Sequence, residues 1–479
     1  MNEVPEDEVP LFVVVGNVNQ GKSSVVAALS ENETIPIDSY PGTTGRSGSY
    51  VFKAGARELF RVVDTPGFQR ARQALAWLQR EASNAGERPQ AVRAFVAAHG
   101  DDAEFKDEVE LLRPILEGAG ILYVVDASSH LEPANEAEME ILRWTGQPAM
   151  ALINRVRQRD HIAEWRPILQ QFFHIVREFD AHGARFRDRA ALLRGFREIR
   201  PEWSAQIDEA TAAMEREWDD RQRHAAALVG GLLCDALSHV EKRGLPDDAD
   251  EAAVRVELEA AFADAQRGLE ARARDAVERA YRHPGLERDD PVLELLQEDL
   301  FAETTWRAFG LTREQLAKYG AAWGAVIGGG IDLAVGGLSI FAGLAIGAGV
   351  GAAAGWFGGK KLASIWSSSS SFARSLWPGE TGRFVAMGPV SSARFAWVLL
   401  DRALVHFRAV RDRSHARRDA LAIGDGVGIV ASLPKAARDT VDAAMRAVIK
   451  AARKGRVAAA ERDALIAAVA AVMAADAAP

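Results

Sequence analysis

Unbroken apolar runs alternate with amphipathic stretches over the first 180 residues. The runs are Leu11-Phe12-Val13-Val14-Val15, Leu59-Phe60-Arg61-Val62-Val63, 120–126 and 148–153. Short apolar runs rich in β-branched residues predict strands buried on both faces. Val25-Val26-Ala27-Ala28-Leu29 opens a helix, and 68–117 reads as mostly helical, with a polar segment around 82–107. Strands near 49–53 and 58–63 are expected to pair through the turn at Lys53-Ala54-Gly55, and 172–180 supplies a last strand. Strands alternating with helices predict a parallel, doubly wound sheet whose ligands bind at the strands' C-terminal ends.

From 184 to 320 the pattern turns helical, rich in Ala, Glu, Arg and Leu, with breaks at Gly244-Leu245-Pro246 and Pro284-Gly285. Asp247 can cap the helix after the first break. Trp203, Trp218 and Trp306 read as packing residues, and Glu215-Arg216-Glu217 as a solvated face. Residues 333–359 then run for 27 positions without a charge, with Gly343, Gly347, Gly351, Gly355 and Gly359 at every fourth place. On a helix these glycines form one stripe that lets backbones pack closely. A straight helix of this length measures about 40 Å, against about 30 Å for a hydrocarbon core. A tilted span, a kinked hairpin and a buried glycine-packed helix pair all remain open. Lys360 and Lys361 close the run. Beyond them come a short strand at 383–387 and helices at about 391–420, 434–453 and 458–475. The pattern divides the chain into a tail (1–10), a sheet domain (11–183), a helical domain (184–320), the glycine-rich segment (321–361) and a basic helical part (362–479).

Composition changes this picture in two places. The 479 residues carry a net charge of −9, which argues against a nucleic-acid binder over the whole surface. Residues 360–479, however, hold 19 Lys/Arg and 10 Asp/Glu, a net of +9, so the remainder carries −18. That asymmetry points to an anionic partner for the basic part, or to ordinary solvated helix faces. Cys234 is the sole cysteine, so no intramolecular disulfide can form; it reads as a small apolar residue. No metal-ligating cluster and no nucleophilic Cys/His pair is evident in the sequence. The start of the chain, with Glu3, Glu6, Asp7 and Glu8, lacks the basic and apolar regions of a signal peptide, so cytoplasmic residence is expected.

The chemistry gathers on Gly16-Asn17-Val18-Asn19-Gln20-Gly21-Lys22-Ser23-Ser24. It fits G-x-x-x-x-G-K-S, placed between a strand and a helix as a phosphate loop requires. Its glycines let backbone N–H groups curl toward phosphates at a helix N-terminus. Lys22 is expected to reach the β/γ-phosphates and Ser23 to ligate Mg2+. Asp64-Thr65-Pro66-Gly67 follows a second strand. Asp64 can hold the Mg2+ shell and the Gly67 N–H can sense a γ-phosphate. Between them lies Pro41-Gly42-Thr43-Thr44-Gly45-Arg46, where a switch threonine is expected.

On GNVNQGKSS, PGTT and DTPG, residues 10–180 resemble the small G domains of the Era and tRNA-modification GTPase group. The remainder resembles the uncharacterised C-terminal domain fused to some bacterial members. The resemblance implies an α/β P-loop G domain with a mainly helical C-terminal part carrying the glycine-zipper segment. It implies GTP and GDP as ligands, Thr44 completing the Mg2+ shell, and Gly67 and Lys22 beside the reacting phosphate. Phe68 takes the place where Ras-like proteins carry a water-positioning Gln. In relatives that use K+ as a transition-state charge, a loop Asn ligates it, which maps to Asn19. Asn154 stands where the guanine-reading N-K-x-D motif begins, but the chain continues Arg155-Val156-Arg157. The motif's Asp is missing, and Asp160 lies three residues too late. Asp180-Ala181-His182 falls where the family's base-covering loop lies. A homodimer through the G domain, a protein effector and an anionic inner-membrane surface are the expected partners. RNA is the alternative: Gly379-Glu380-Thr381-Gly382 matches a GXXG loop, without the strand and helix that a KH domain needs. A non-hydrolysing, nucleotide-gated scaffold is the second alternative.

Overall fold

The computed structural model describes residues 9–17, 20–31, 48–54, 57–154, 161–283, 286, 383–391, 393–417, 421 and 429–477. The chain forms two compact units. The first takes Met1–Asp220 together with Asp412–Asp419, and the second takes Arg221–Arg411 and Ala420–Pro479. Val18, Asn19, Thr44, Arg155, Val156, Arg157, Asp160 and the whole glycine series lie outside the described residues.

The first unit is built on six strands: β1 (Leu11–Val15), β2 (Gly48–Ala54), β3 (Arg57–Asp64), β4 (Gly120–Asp126), β5 (Ala149–Asn154) and β6 (Ile175–Phe179). Their order is β2-β3-β1-β4-β5-β6. β2 and β3 form the antiparallel hairpin expected from the turn between them, and every other pairing is parallel. Helices α1 (Lys22–Ser30), α2 (Ala71–Glu81), α3 (Arg88–Ala98), α4 (Lys106–Leu116), α5 (Pro133–Trp144), α6 (Ile162–Phe172) and α7 (Phe186–Ile199) connect them.

Period-2 alternation sends Val13, Val15, Ile121, Tyr123, Val125, Ala151 and Ile153 to one face of the sheet, where they pack with residues of α2 to α6. Phe12, Val14, Leu122, Val124, Met150 and Leu152 go to the other, with α1 and α7. Both faces are dry, which explains why the strands read as continuous apolar runs rather than alternating ones. Trp203 packs at the second face as expected, its ring edge-on to Phe12 at 5.2 Å between centroids.

α8 (Ser204–Ser238) carries the chain into the second unit. There β7 (Glu241–Gly244) pairs antiparallel with β8 (Phe384–Met387), followed in sequence by α10 (Ala393–Arg411), α11 (Ile429–Ser432), α12 (Lys435–Ala452) and α13 (Ala459–Ala477); α9 (Glu251–Ala280) lies between the two strands in sequence. β8, α12 and α13 fall where the pattern put them, but the helix expected over 391–420 ends at Arg411, where the chain passes to the first unit, and α11 was not expected. β7 is a strand the pattern missed, because Glu241-Lys242-Arg243 has no apolar run to announce it.

The second unit departs from an apolar core in one respect. Arg402 donates from Nε to Glu270 Oε1 at 2.8 Å and from Nη2 to Glu270 Oε2 at 3.1 Å, with both side chains buried. His406 Nε2 lies 3.0 Å from Glu278 Oε1, again with both buried. Arg408 and Arg411 both bond Asp476. The net charge of +9 over 360–479 left an anionic partner and ordinary solvated helix faces both open. Arg402, Arg408 and Arg411 are bound to carboxylates of α9 and α13, so net charge along the sequence overstates the free cation there. Desolvation of both charges offsets much of the attraction in a buried pair of this kind, so it is weak evidence of added stability.

No helix among the described residues is long and apolar enough to cross a membrane.

Candidate functional site

The site lies at the C-terminal ends of β1, β3, β4 and β5, where the loops turn away from the sheet. Gly16 leaves β1 at φ +149°, and a Cβ there would stand 2.2 Å from the Val124 carbonyl oxygen. A glycine is therefore required for the loop to start against β4. Gly21 adopts φ +80° as the N-cap of α1. The two glycines of the motif thus bracket the loop, each for a backbone reason.

Lys22 is buried. Its Nζ donates to Gly16 O at 3.0 Å and Asn17 O at 2.9 Å, so it folds back along the loop. Burial pushes its ammonium below the ordinary value, against the opposing pull of Asp64 and Glu138. Ser23 Oγ donates to Asp64 Oδ2 at 2.7 Å. Asp64 is 2% exposed, and burial raises its pKa against the Ser23 hydrogen bond and the charge of Lys22. Its second oxygen, Oδ1, is buried without a hydrogen-bond partner. A buried cation and a buried carboxylate, each held against its preferred charge state, gain most from ligands of opposite sign. The donor set for Mg2+ is hard oxygen, from Ser23 and Asp64, and the orphaned Oδ1 gives the ion a point of attachment. The residues fit the group.

Thr65, fully buried, donates from Oγ1 to Val14 O at 2.7 Å and locks the Asp64 segment to β1. Gly67 is buried on the segment that leaves β3. Phe68, at 3% exposure, belongs to the core cluster on the Val13 face of the sheet. The residues after it are held by Glu108 of α4. That carboxylate, at 0% exposure, accepts from Gln69 N at 2.8 Å and Arg70 N at 2.6 Å. It caps the exposed N–H groups at the start of α2 from outside the helix. Nothing in the sequence pattern singles out Glu108, which lies just beyond the polar segment around 82–107.

The base side is assembled differently. Asn154, at 0% exposure, donates from Nδ2 to Gln20 O at 3.4 Å, and its Oδ1 accepts from Ala181 N at 3.1 Å. Its amide therefore braces the phosphate loop against the turn after β6. Gln20 Oε1 accepts from Asp126 N, tying the same loop to the end of β4. Asp180 Oδ1 accepts from His182 N and Gly183 N, each at 3.0 Å, which shapes the turn. Ala181 is buried, and its carbonyl accepts from Ser414 Oγ at 2.6 Å. Ser414 is 233 residues further along the chain, in the segment that returns to the first unit. Ala416 joins the core cluster on the Phe12 face. Nothing in the sequence pattern singles out Ser414.

One more carboxylate stands behind the loop. Glu138 of α5 accepts from Tyr123 OH at 2.8 Å, and burial pushes its pKa to about 7 despite that bond and the charge of Lys22. Ser24 is buried on the first turn of α1.

A glycine-bracketed loop between a strand and a helix, with Lys22 buried inside it and a Ser–Asp pair for a divalent cation, defines a P-loop nucleotide-binding protein. Residues 11–155 match the family described as 50S ribosome-binding GTPase, and residues 166–471 match the domain of unknown function DUF3482. The chain belongs to the DUF3482 family, and its N-terminal part resembles the G domains of the Era/Der class. It is 26% identical over 227 residues to GTPase Der of Syntrophobacter fumaroxidans, covering 46% of this chain and 41% of that protein. It is 25% identical over 177 residues to GTPase Der of Desulforapulum autotrophicum, covering 35% and 30%. The chain thus spans about two fifths or less of the length of these curated relatives. Among solved structures, Era in complex with MgGDPNP and a segment of 16S ribosomal RNA is similar over 40% of this chain and 57% of that one, at 18% identity and a TM-score of 0.29.

Proposed function

We propose that this chain is a Mg2+-dependent GTPase that works as a molecular switch, with low activity until a protein partner engages it. The observation that carries this reading is the Ser23–Asp64 pair at 2.7 Å with Asp64 Oδ1 open, beside buried Lys22. In this reading the backbone N–H groups of residues 16–24 cradle the β- and γ-phosphates. Lys22 exchanges its loop carbonyls for phosphate oxygens. Ser23, Asp64 and Thr44 would hold Mg2+, which would supply positive charge to neutralise the transferring phosphoryl group. Gly67 N–H reports the γ-phosphate to the segment pinned by Glu108. Water attack needs no side-chain base in such a site, because positioning and charge stabilisation supply the rate. Asn19 is the candidate ligand for K+, which would supply the charge that other GTPases take from an arginine finger.

Single-turnover hydrolysis of GTP with and without Mg2+ tests the enzyme. Tight, Mg2+-dependent GTP binding with no hydrolysis in KCl, even in cell extract, would make the chain a nucleotide-gated scaffold instead. Equal rates in KCl and NaCl at matched ionic strength would remove K+. Sedimentation of the GTP-loaded protein against the GDP-loaded one tests pairing through the G domain.

We further propose cytoplasmic residence with attachment at the inner membrane through residues 321–361. The support is the uncharged run at 333–359 with Lys360 and Lys361 beside it. Full-length protein should pellet with anionic liposomes and lose this on deletion of 321–361. Protein that stays in the supernatant in both nucleotide states sinks the membrane reading.

A further inference from the structure

Three side chains that no part of the switch uses meet beside the base end of the site. Asp126 ends β4, and its carboxylate accepts from Ser128 N at 2.8 Å, shaping a turn that delivers His130. The chain after β5 returns at His161, whose N–H donates to Ala127 O at 2.8 Å, so it is fixed to the same turn. Glu164 lies three residues on, in the first turn of α6, where i and i+3 share a face.

His130 Nδ1 is 2.8 Å from Glu164 Oε2, and His161 Nδ1 is 3.6 Å from the same oxygen. The two rings lie 3.9 Å apart between centroids. All three donor atoms fall within 4.8 Å of one another. Glu164 Oε1 accepts from Leu131 N at 3.2 Å, which orients the carboxylate toward the two rings. The His130 hydrogen bond and then the Leu131 N–H hold the Glu164 carboxyl below its usual range.

As a surface ion pair this group would contribute little. One carboxylate oxygen facing two imidazole nitrogens is, however, the donor pattern of a three-ligand transition-metal site with an exposed fourth position. We propose that His130, His161 and Glu164 form a site for a divalent transition metal of the Zn2+ type. Imidazole ligands favour such ions over Mg2+, which prefers oxygen alone. The His130 side chain is 73% exposed, so the ion has an entry path and a place for water. Binding would pin the turn after β4 to the start of α6. Both segments flank the end of β5, where Asn154 sits.

The sequence hid this cluster because His130 lies far from His161 and Glu164 along the chain, and the close pair is an unremarkable His-x-x-Glu. The test is titration of the full-length protein with Zn2+ against a chromophoric chelator, with Mg2+ in millimolar excess. One Zn2+ per chain is expected. His130→Ala/His161→Ala should weaken binding at least 100-fold and Glu164→Gln about 10-fold, and affinity should fall as pH drops, because protons compete for the ligands. The side chains are solvent-facing enough for the variants to fold, and far-ultraviolet circular dichroism checks that. Absence of stoichiometric Zn2+, or equal Zn2+ affinity in the double variant, overturns the proposal. So does displacement of Zn2+ by Mg2+, which would place the ion at Ser23 and Asp64.

Discussion

The phosphate side and the base side of one site are built on opposite plans. On the phosphate side Lys22 and Ser23 sit in one contiguous stretch, and Ser23 reaches outside it to Asp64. The base side draws on Gln20, Asp126, Asn154, Ala181 and Ser414. Phosphate recognition uses backbone N–H groups and one cation, which a single contiguous loop can present. A base needs flat, directional hydrogen bonds, and those come from loops that other loops must hold in place. The first plan shows in a short motif, whereas the second is distributed over the chain.

This contrast can be broken most sharply at Lys22. Lys22→Ala removes the buried cation of the phosphate side, and triphosphate affinity should drop by at least 100-fold in nucleotide titration. An unchanged titration would mean that phosphates are held elsewhere.

Next in size is Glu138, behind the phosphate loop. Its folded-state pKa of about 7 stands above the unfolded value of 4.5. The folded chain therefore holds a proton that the unfolded chain has lost between pH 4.5 and 7. Stability from this group is full below 4.5, falls as pH rises through that window and is flat above 7. The whole swing is on the order of 3 kcal/mol at most. Glu138→Gln, measured by denaturant unfolding at pH 5 and pH 8, should flatten the slope. A slope unchanged by the substitution would put the proton on another group.

Asn154→Ala probes the base side. It leaves Gln20 O and Ala181 N without their shared partner, at about 1–3 kcal/mol for the unsatisfied groups. GTP affinity should fall roughly 10- to 100-fold. Preference over ATP should fall with it, while affinity for inorganic pyrophosphate changes little. Equal losses for GTP and pyrophosphate would show that Asn154 serves the phosphate side too. The smallest effect belongs to Ser414→Ala, which removes one hydrogen bond worth about 1 kcal/mol. A few-fold loss of GTP affinity is expected, again with pyrophosphate spared.

Legibility in the sequence follows the same divide. Strands β1, β4 and β5 were readable because they are buried on both faces, so each is an apolar run. The Lys22, Ser23 and Asp64 constellation was readable from spacing. Asn154 was readable as a position but not as a brace, since its partners Gln20 and Ala181 are set by the crossing of strands β1, β5 and β6. Nothing in the sequence pattern singles out Glu108 or Glu138; their burial comes from the packing of α4 and α5 in the fold. In the second unit the sequence left an anionic partner and solvated faces both open for the basic stretch. Its Arg402 is in fact the inner partner of Glu270, and only the fold pairs α9 with α10.

The return of residues 412–417 to the first unit has a consequence for the order of events at the ribosome. A chain emerging N-terminus first can fold its six strands once about 200 residues are out, because domains fold as units during synthesis. Yet Ala416 fills part of the core on the Phe12 face, and Ser414 steadies the turn that Asn154 reads. Until that segment has been translated, the nascent chain carries a complete phosphate loop and an unfinished base side. A fragment ending at residue 220 should reproduce that state, holding phosphates while discriminating poorly among bases, and adding a peptide of residues 410–420 in trans should restore part of the difference.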